Sequence, residues 1–175
     1  MDLAADRRTR LTAVRRRRLL LSIAGLLVVL VVVLLQFGEP MRVSSSSMEP
    51  TLKSGDQILI ATRAYKSQGP ARGDLVVFDG PDGALVKRVA AIAGDEVGIE
   101  DGQLVVNARI VPERAVDQST VDGMYYGPVT VPSGSVFVLG DNRANSVDSR
   151  TLGPVPLDAL IGQVRIRLWP SPGDL

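Results

Sequence analysis

The sequence predicts a mainly β protein: one compact antiparallel domain, β-barrel-like or β-sheet, behind a single N-terminal transmembrane helix. Three observations carry this expectation. After Phe37 the chain is a succession of short β-branched runs punctuated by Gly, Pro and Asp. No stretch there keeps an apolar period of 3.6 residues, so its helices should be short. Before it lies one apolar run, Leu19–Phe37, in which only Ser22 and Gln36 are clearly polar. A length of 175 residues suits one such domain plus a short appendage.

The first 18 residues carry seven arginines against Asp2 and Asp6, a net of +5, while the remaining 13 basic and 17 acidic residues net −4. A nucleic-acid interface would place its basic cluster on the folded domain. Here the cluster abuts the apolar run, so no nucleic-acid partner is expected, and residues 1–18 read as a cytoplasmic basic tail. As a helix, Leu19–Phe37 would be about 28 Å long, close to the hydrocarbon thickness of a bilayer. A cleaved secretory leader has a shorter core and a small-x-small site after it. Gln36-Phe37-Gly38-Glu39-Pro40 offers none. A retained anchor over 19–37 is therefore favoured over a leader, and over a core helix of a soluble protein. The arginines then stay inside and residues 38–175 stand on the outer face of a plasma membrane, as a single-pass protein.

In the outer domain the expected strands are Gln57–Ala61, Leu75–Asp79, Leu85–Ala93, Glu96–Ile99, Leu104–Asn107, Val136–Leu139 and Gly162–Leu168. Asp101-Gly102 between two apolar runs is a strong hairpin signal, and Pro81-Asp82-Gly83 links the runs around Leu75 and Leu85 in the same way. Pro112–Pro132 is polar and irregular, a surface excursion. The run Ser44–Ser47 in isolation would pass for a spacer.

The chain has no histidine and no cysteine. Disulfides, thiolate catalysis and zinc chemistry are excluded or disfavoured, so no metal and no cofactor are expected. A serine nucleophile here needs a base other than histidine.

Four segments supply a candidate. They are Ser45-Ser46-Ser47-Met48-Glu49-Pro50-Thr51-Leu52, Arg72-Gly73-Asp74-Leu75-Val76-Val77-Phe78, Lys87-Arg88-Val89-Ala90-Ala91-Ile92-Ala93-Gly94-Asp95, and Gly140-Asp141-Asn142-Arg143-Ala144-Asn145-Ser146-Val147-Asp148-Ser149-Arg150. In this order, behind an N-terminal anchor, they closely resemble the bacterial type I signal peptidases, membrane-bound serine proteases with a Ser–Lys dyad. The resemblance covers nearly all of residues 40–168, and the short interval from Lys87 to Gly140 resembles the compact members.

The resemblance implies that Ser47 is the nucleophile and Lys87 its base. The local sequence agrees with that role for the lysine. Strand alternation puts Leu85, Lys87 and Val89 on one face and Arg88 on the other. An ordinary lysine titrates near 10.4, so keeping it neutral near pH 7 costs about 4 kcal/mol, within what burial supplies. A neutral Lys87 accepts the Ser47 proton and later returns it to the leaving amine. The resemblance further implies that Ser146 hydrogen-bonds and orients Lys87. It also makes Ser45 an oxyanion donor alongside the Ser47 N–H. Asp148–Arg150 and Asp141–Arg88 ion pairs should stiffen the fourth segment, as structural support.

The substrate so implied is an exported preprotein cut after its signal segment, with small residues at the first and third positions before the cut. Added as a strand beside Val43–Ser45 and Ala84–Val86, it would meet Val43, Met48 and Val86 as pocket walls. Apolar surface near Met48 and Trp169 is expected to rest on the bilayer. Two other readings stay open. One is a Ser–Lys protease with another task, such as self-cleavage or pilus-type processing. The other is an inactive anchored β domain that binds envelope partners, which predicts loss of a core residue.

Overall fold

The computed structural model describes residues 15–29, 38–62, 64–65, 69–116 and 121–173. The chain divides into two compact units, 1–38 and 39–175. In the first, residues 15–29 form a helix, α1, whose leucines, isoleucine and valines are all exposed. Among the described residues no helix is long and apolar enough to cross a membrane. The expected anchor runs on to Phe37, and its second part, 30–37, lies outside the described residues.

The second unit is mainly β. Its strands are β1 (Glu39–Arg42), β2 (Gln57–Ala61), β3 (Leu75–Gly80), β4 (Gly83–Ile92), β5 (Glu96–Glu100) and β6 (Gln103–Val106). Then come β7 (Arg109–Ile110), β8 (Tyr126–Thr130), β9 (Ser135–Leu139), β10 (Val155–Pro156) and β11 (Leu160–Trp169). A short helix, α2 (Ser149–Leu152), precedes β10. All pairings are antiparallel and make two sheets, ordered β1-β2-β11-β3-β4-β9-β10 and β7-β6-β5-β8. The larger sheet keeps β1 and β10 as edges, so it is not a barrel closed by hydrogen bonds.

Both expected hairpins form. β5 pairs with β6 through Glu100↔Gln103, and the turn residues Asp101 (φ 50°) and Gly102 (φ 77°) have the left-handed backbone that a two-residue type I′ turn demands. β3 pairs with β4 up to Gly80↔Gly83. The expectation that Pro112–Pro132 is irregular is corrected by β8, which pairs along β5 from Glu96↔Thr130 to Ile99↔Tyr126. Its Gly127-Pro128 reads as a break in sequence but falls at a register shift on a sheet edge, where a missing N–H costs little.

The core falls into three apolar clusters. One joins Val43, Met48 and Leu52 to Ile58, Ile60, Leu75, Val77, Val86 and Val164. The second packs Phe137 and Leu139 against Val97, Ile99, Leu104 and Val106 of the smaller sheet. The third gathers Val76, Phe78, Val89, Val136 and Val138. Register pairs Val76 with Lys87 and Phe78 with Leu85, so Lys87 shares its face with this third cluster.

Candidate active site

β4 sits inside the larger sheet, between β3 and β9. Lys87 at its middle is 1% exposed. Its Nζ lies 2.7 Å from Ser47 Oγ and 3.0 Å from the Val86 carbonyl. Ser47 is itself buried. It opens the turn after β1, closed by Glu49 N–H donating to Ser46 O and Leu52 N–H to Met48 O. Met48 and Leu52 anchor that turn in the first apolar cluster, which fixes the serine over the lysine. Ser45 Oγ lies 3.1 Å from Ser47 Oγ.

Burial pushes the Lys87 pKa down, while the charges of Asp148 and Asp141 pull it up; burial wins. The reason is that no carboxylate touches the amine. Both nearby acids are spent elsewhere. Asp148 Oδ1 accepts from Arg150 Nε at 2.8 Å, and Asp141 is gripped by Arg88 through two bonds of 2.9 and 2.8 Å. Burial pushes the Asp148 carboxyl up, but Arg150 and the Gly140 N–H outweigh it and hold it below the ordinary value.

The segment Gly140–Arg150 closes over the pair. Asn142 N–H donates to Ser47 O at 3.0 Å. Asn142 Nδ2 donates to Ser46 O at 3.2 Å and Asn145 Nδ2 to Ser46 Oγ at 2.8 Å. Gly140 lies so close that an added Cβ would stand 2.2 Å from Ser146 Oγ and 2.6 Å from Ser47 O. Only glycine fits there.

A family model described as "Signal peptidase, peptidase S26" matches residues 16–169. The chain belongs to this family. It is 39% identical to a probable signal peptidase I-2 of Synechocystis, over 77% of this chain and 64% of that protein. It is 36% identical to thylakoidal processing peptidase 1 of Arabidopsis thaliana, over 75% of this chain and 42% of that one. It is likewise 36% identical to a signal peptidase I of Leptolyngbya laminosa, over 83% and 76%. The chain thus spans less than two thirds of the first two relatives' length.

Within this family site, most residues singled out from the sequence come together: Ser47, Lys87, Ser45, Ser146, Asp148, Arg150, Asp141 and Arg88 all lie in the contacts just described. Two expectations need correction. Ser146 Oγ is buried beside Gly140 and, among the described residues, has no hydrogen-bond partner, so the expected bond to Lys87 is not formed here. Lys87 Nζ instead spends its bonds on Ser47 and Val86 O. Met48, at 1% exposure, has no surface to rest on a bilayer, whereas Trp169 is 63% exposed. Val43, Met48 and Val86 are adjacent but interior, members of one cluster.

Sequence reading passed over Asn142 and Asn145, which latch the two loops. It also passed over Glu113, whose carboxylate pairs with the buried Arg143. The asparagines lay in a segment already singled out. Glu113 lay in the stretch read as a surface excursion and carried none.

Proposed function

We propose that this chain is a membrane-anchored serine endopeptidase that removes signal segments from exported preproteins. In this proposal residues 1–18 are cytoplasmic, 19–37 span the bilayer and 38–175 form the outer catalytic domain. The single observation that carries it is the 2.7 Å contact between Ser47 Oγ and a lysine amine that is 1% exposed. In a chain without histidine, that amine is, among the described residues, the base within hydrogen-bond reach of the serine.

The chemistry follows from proton bookkeeping. A neutral amine has two N–H bonds and one lone pair. One N–H is held by Val86 O, and the lone pair faces the Ser47 hydroxyl. As Ser47 Oγ attacks the scissile carbonyl, its proton moves to Lys87 Nζ. The oxyanion that forms accepts from the Ser47 N–H and from Ser45 Oγ, which stands 3.1 Å from the nucleophile. Donors of this kind are worth about 3–4 kcal/mol of barrier each. The tetrahedral species collapses when Lys87 returns the proton to the leaving amine, giving an acyl-Ser47. Water, deprotonated by Lys87, then releases the signal segment. Val43 and Val86 back the strand-binding edge, and the exposed apolar side chains of α1 and Trp169 suit a lipid partner.

The test is cleavage of a purified preprotein with Ala-x-Ala before its mature start. Ser47→Ala and Lys87→Ala should each lose about 10³-fold or more of kcat. Lys87→Arg should fail as badly, because a guanidinium does not give up its proton. Full activity in Lys87→Ala would refute the dyad.

A further inference from the structure

We propose that Glu113 is a positioning residue for the Ser47–Lys87 pair, acting through Arg143 on the Gly140 peptide. The inference rests on the proposed peptidase reading and adds to it a residue outside all four motif segments.

The Gly140 peptide is the tightest point of the site, with Ser146 and the Ser47 carbonyl both pressed against its Cα. It is gripped at two points by charged side chains. Its N–H donates to Asp148 Oδ2 at 3.0 Å. Its carbonyl accepts from Arg143 Nε, also at 3.0 Å. Each gripping side chain is held in turn by an ion pair. Asp148 is held by Arg150, whose Nη2 also donates to the Arg143 carbonyl at 2.8 Å. Arg143 is held by Glu113, whose Oε1 accepts from Nη2. The first half of this clamp lies inside one motif. The second half reaches out to residue 113, between β7 and β8.

The pair is unusual in its burial. The Arg143 side chain is 1% exposed and that of Glu113 10%. Among the described residues Arg143 Nη1 and Glu113 Oε2 find no partner, and both side chains line a cavity of about 360 Å³ together with Arg72, Arg88 and Asp141. Among the described residues the bond through Oε1 is therefore the one side-chain contact that keeps a desolvated guanidinium aimed at Gly140. Without the carboxylate, that guanidinium has no reason to stay: a buried unpaired cation moves toward water, and the cavity gives it somewhere to go. Gly140 O then loses its donor, and Ser146 and Ser47 lose the wall that fixes them. A displacement of this size at a distance from the chemistry lowers rate by up to about 100-fold.

The experiment uses the full chain in detergent, a preprotein substrate, and kcat expressed per Ser47 titrated with a serine-acylating reagent. Glu113→Gln should lower kcat about 10- to 100-fold with KM unchanged. Arg143→Gln should do the same, and the double variant should be no worse than the poorer single one, as for two members of one clamp. Glu113→Asp, which keeps the charge on a shorter arm, should fall between wild type and Glu113→Gln, and it serves if the Gln variant does not fold. A kcat per titrated site equal to wild type in the folded variants, with only a lower Tm, would overturn the proposal, as would additive losses in the double variant. If wild type itself cleaves no better than Ser47→Ala, it is the peptidase reading that falls.

Discussion

Burial lowers the Lys87 pKa against the pull of Asp148 and Asp141, and two outcomes follow at this residue. In the proposed mechanism the neutral amine is the working form, so cleavage should fail as pH drops through its lowered pKa. Asp148→Asn removes one charge that props that pKa up, so the acid limb of kcat should move to lower pH; a limb that moves up would exclude Lys87 as the titrating base. The stability trend has its own sign. The unfolded chain, with an ordinary lysine, binds more protons, so Lys87 disfavours folding most below its folded pKa and less as pH climbs toward 10. Lys87→Met should therefore be inactive yet more stable near pH 7 by about 0.5–2 kcal/mol, in denaturant titration. Gly140→Ala probes the neighbouring constraint. A Cβ 2.2 Å from Ser146 Oγ should abolish cleavage, because something in the site must shift to admit it.

At the scale of elements, the sheet order explains what the sequence revealed. Every strand expected from β-branched runs is present, within two residues at either end. The four that were not expected, β1, β7, β8 and β10, are the four edges of the two sheets. Glu39-Pro40, Gly127-Pro128 and Val155-Pro156 carry the residues that read as punctuation, and an edge is where a sheet tolerates them. Position on the rim therefore hid these strands. The Ser47–Lys87 pair was readable because its residues sit in dense motifs; Glu113 was not, since one carboxylate in an irregular stretch acquires meaning only when folding buries it against Arg143. The β5–β6 turn gives a test at this scale. Gly102 has φ +77°, and an added Cβ would stand 2.4 Å from Val121 O. Gly102→Ala should cost about 1–3 kcal/mol in stability while leaving kcat per folded molecule unchanged.

Across the whole domain, the larger sheet carries the reacting pair and the smaller sheet, inserted between β4 and β9, packs on it through Phe137 and Leu139. Asp95 sits where one sheet passes into the other. It accepts from Arg72 Nε at 2.8 Å, from Ile92 N–H at 2.9 Å and from Asn107 Nδ2 at 2.9 Å. The Arg72 guanidinium, with the other donors, holds its pKa down at about 2. A carboxylate depressed in the folded state contributes stability that is complete above its unfolded pKa, near 3.8, and lost as pH falls toward 2. Acid unfolding should begin in that window, and Asp95→Asn should flatten the curve there. Charge is thus used at joints, while burial works against it on one amine. The chain has three lysines, at 53, 66 and 87; Lys53 is exposed, whereas Lys87 is walled off beside a hydroxyl. Cyanate reacts with uncharged amines far faster than with protonated ones, so loss of cleavage at neutral pH should track carbamylation of Lys87 rather than of the terminal amine, Lys53 or Lys66, and a substrate mimic bound at Ser47 should protect it.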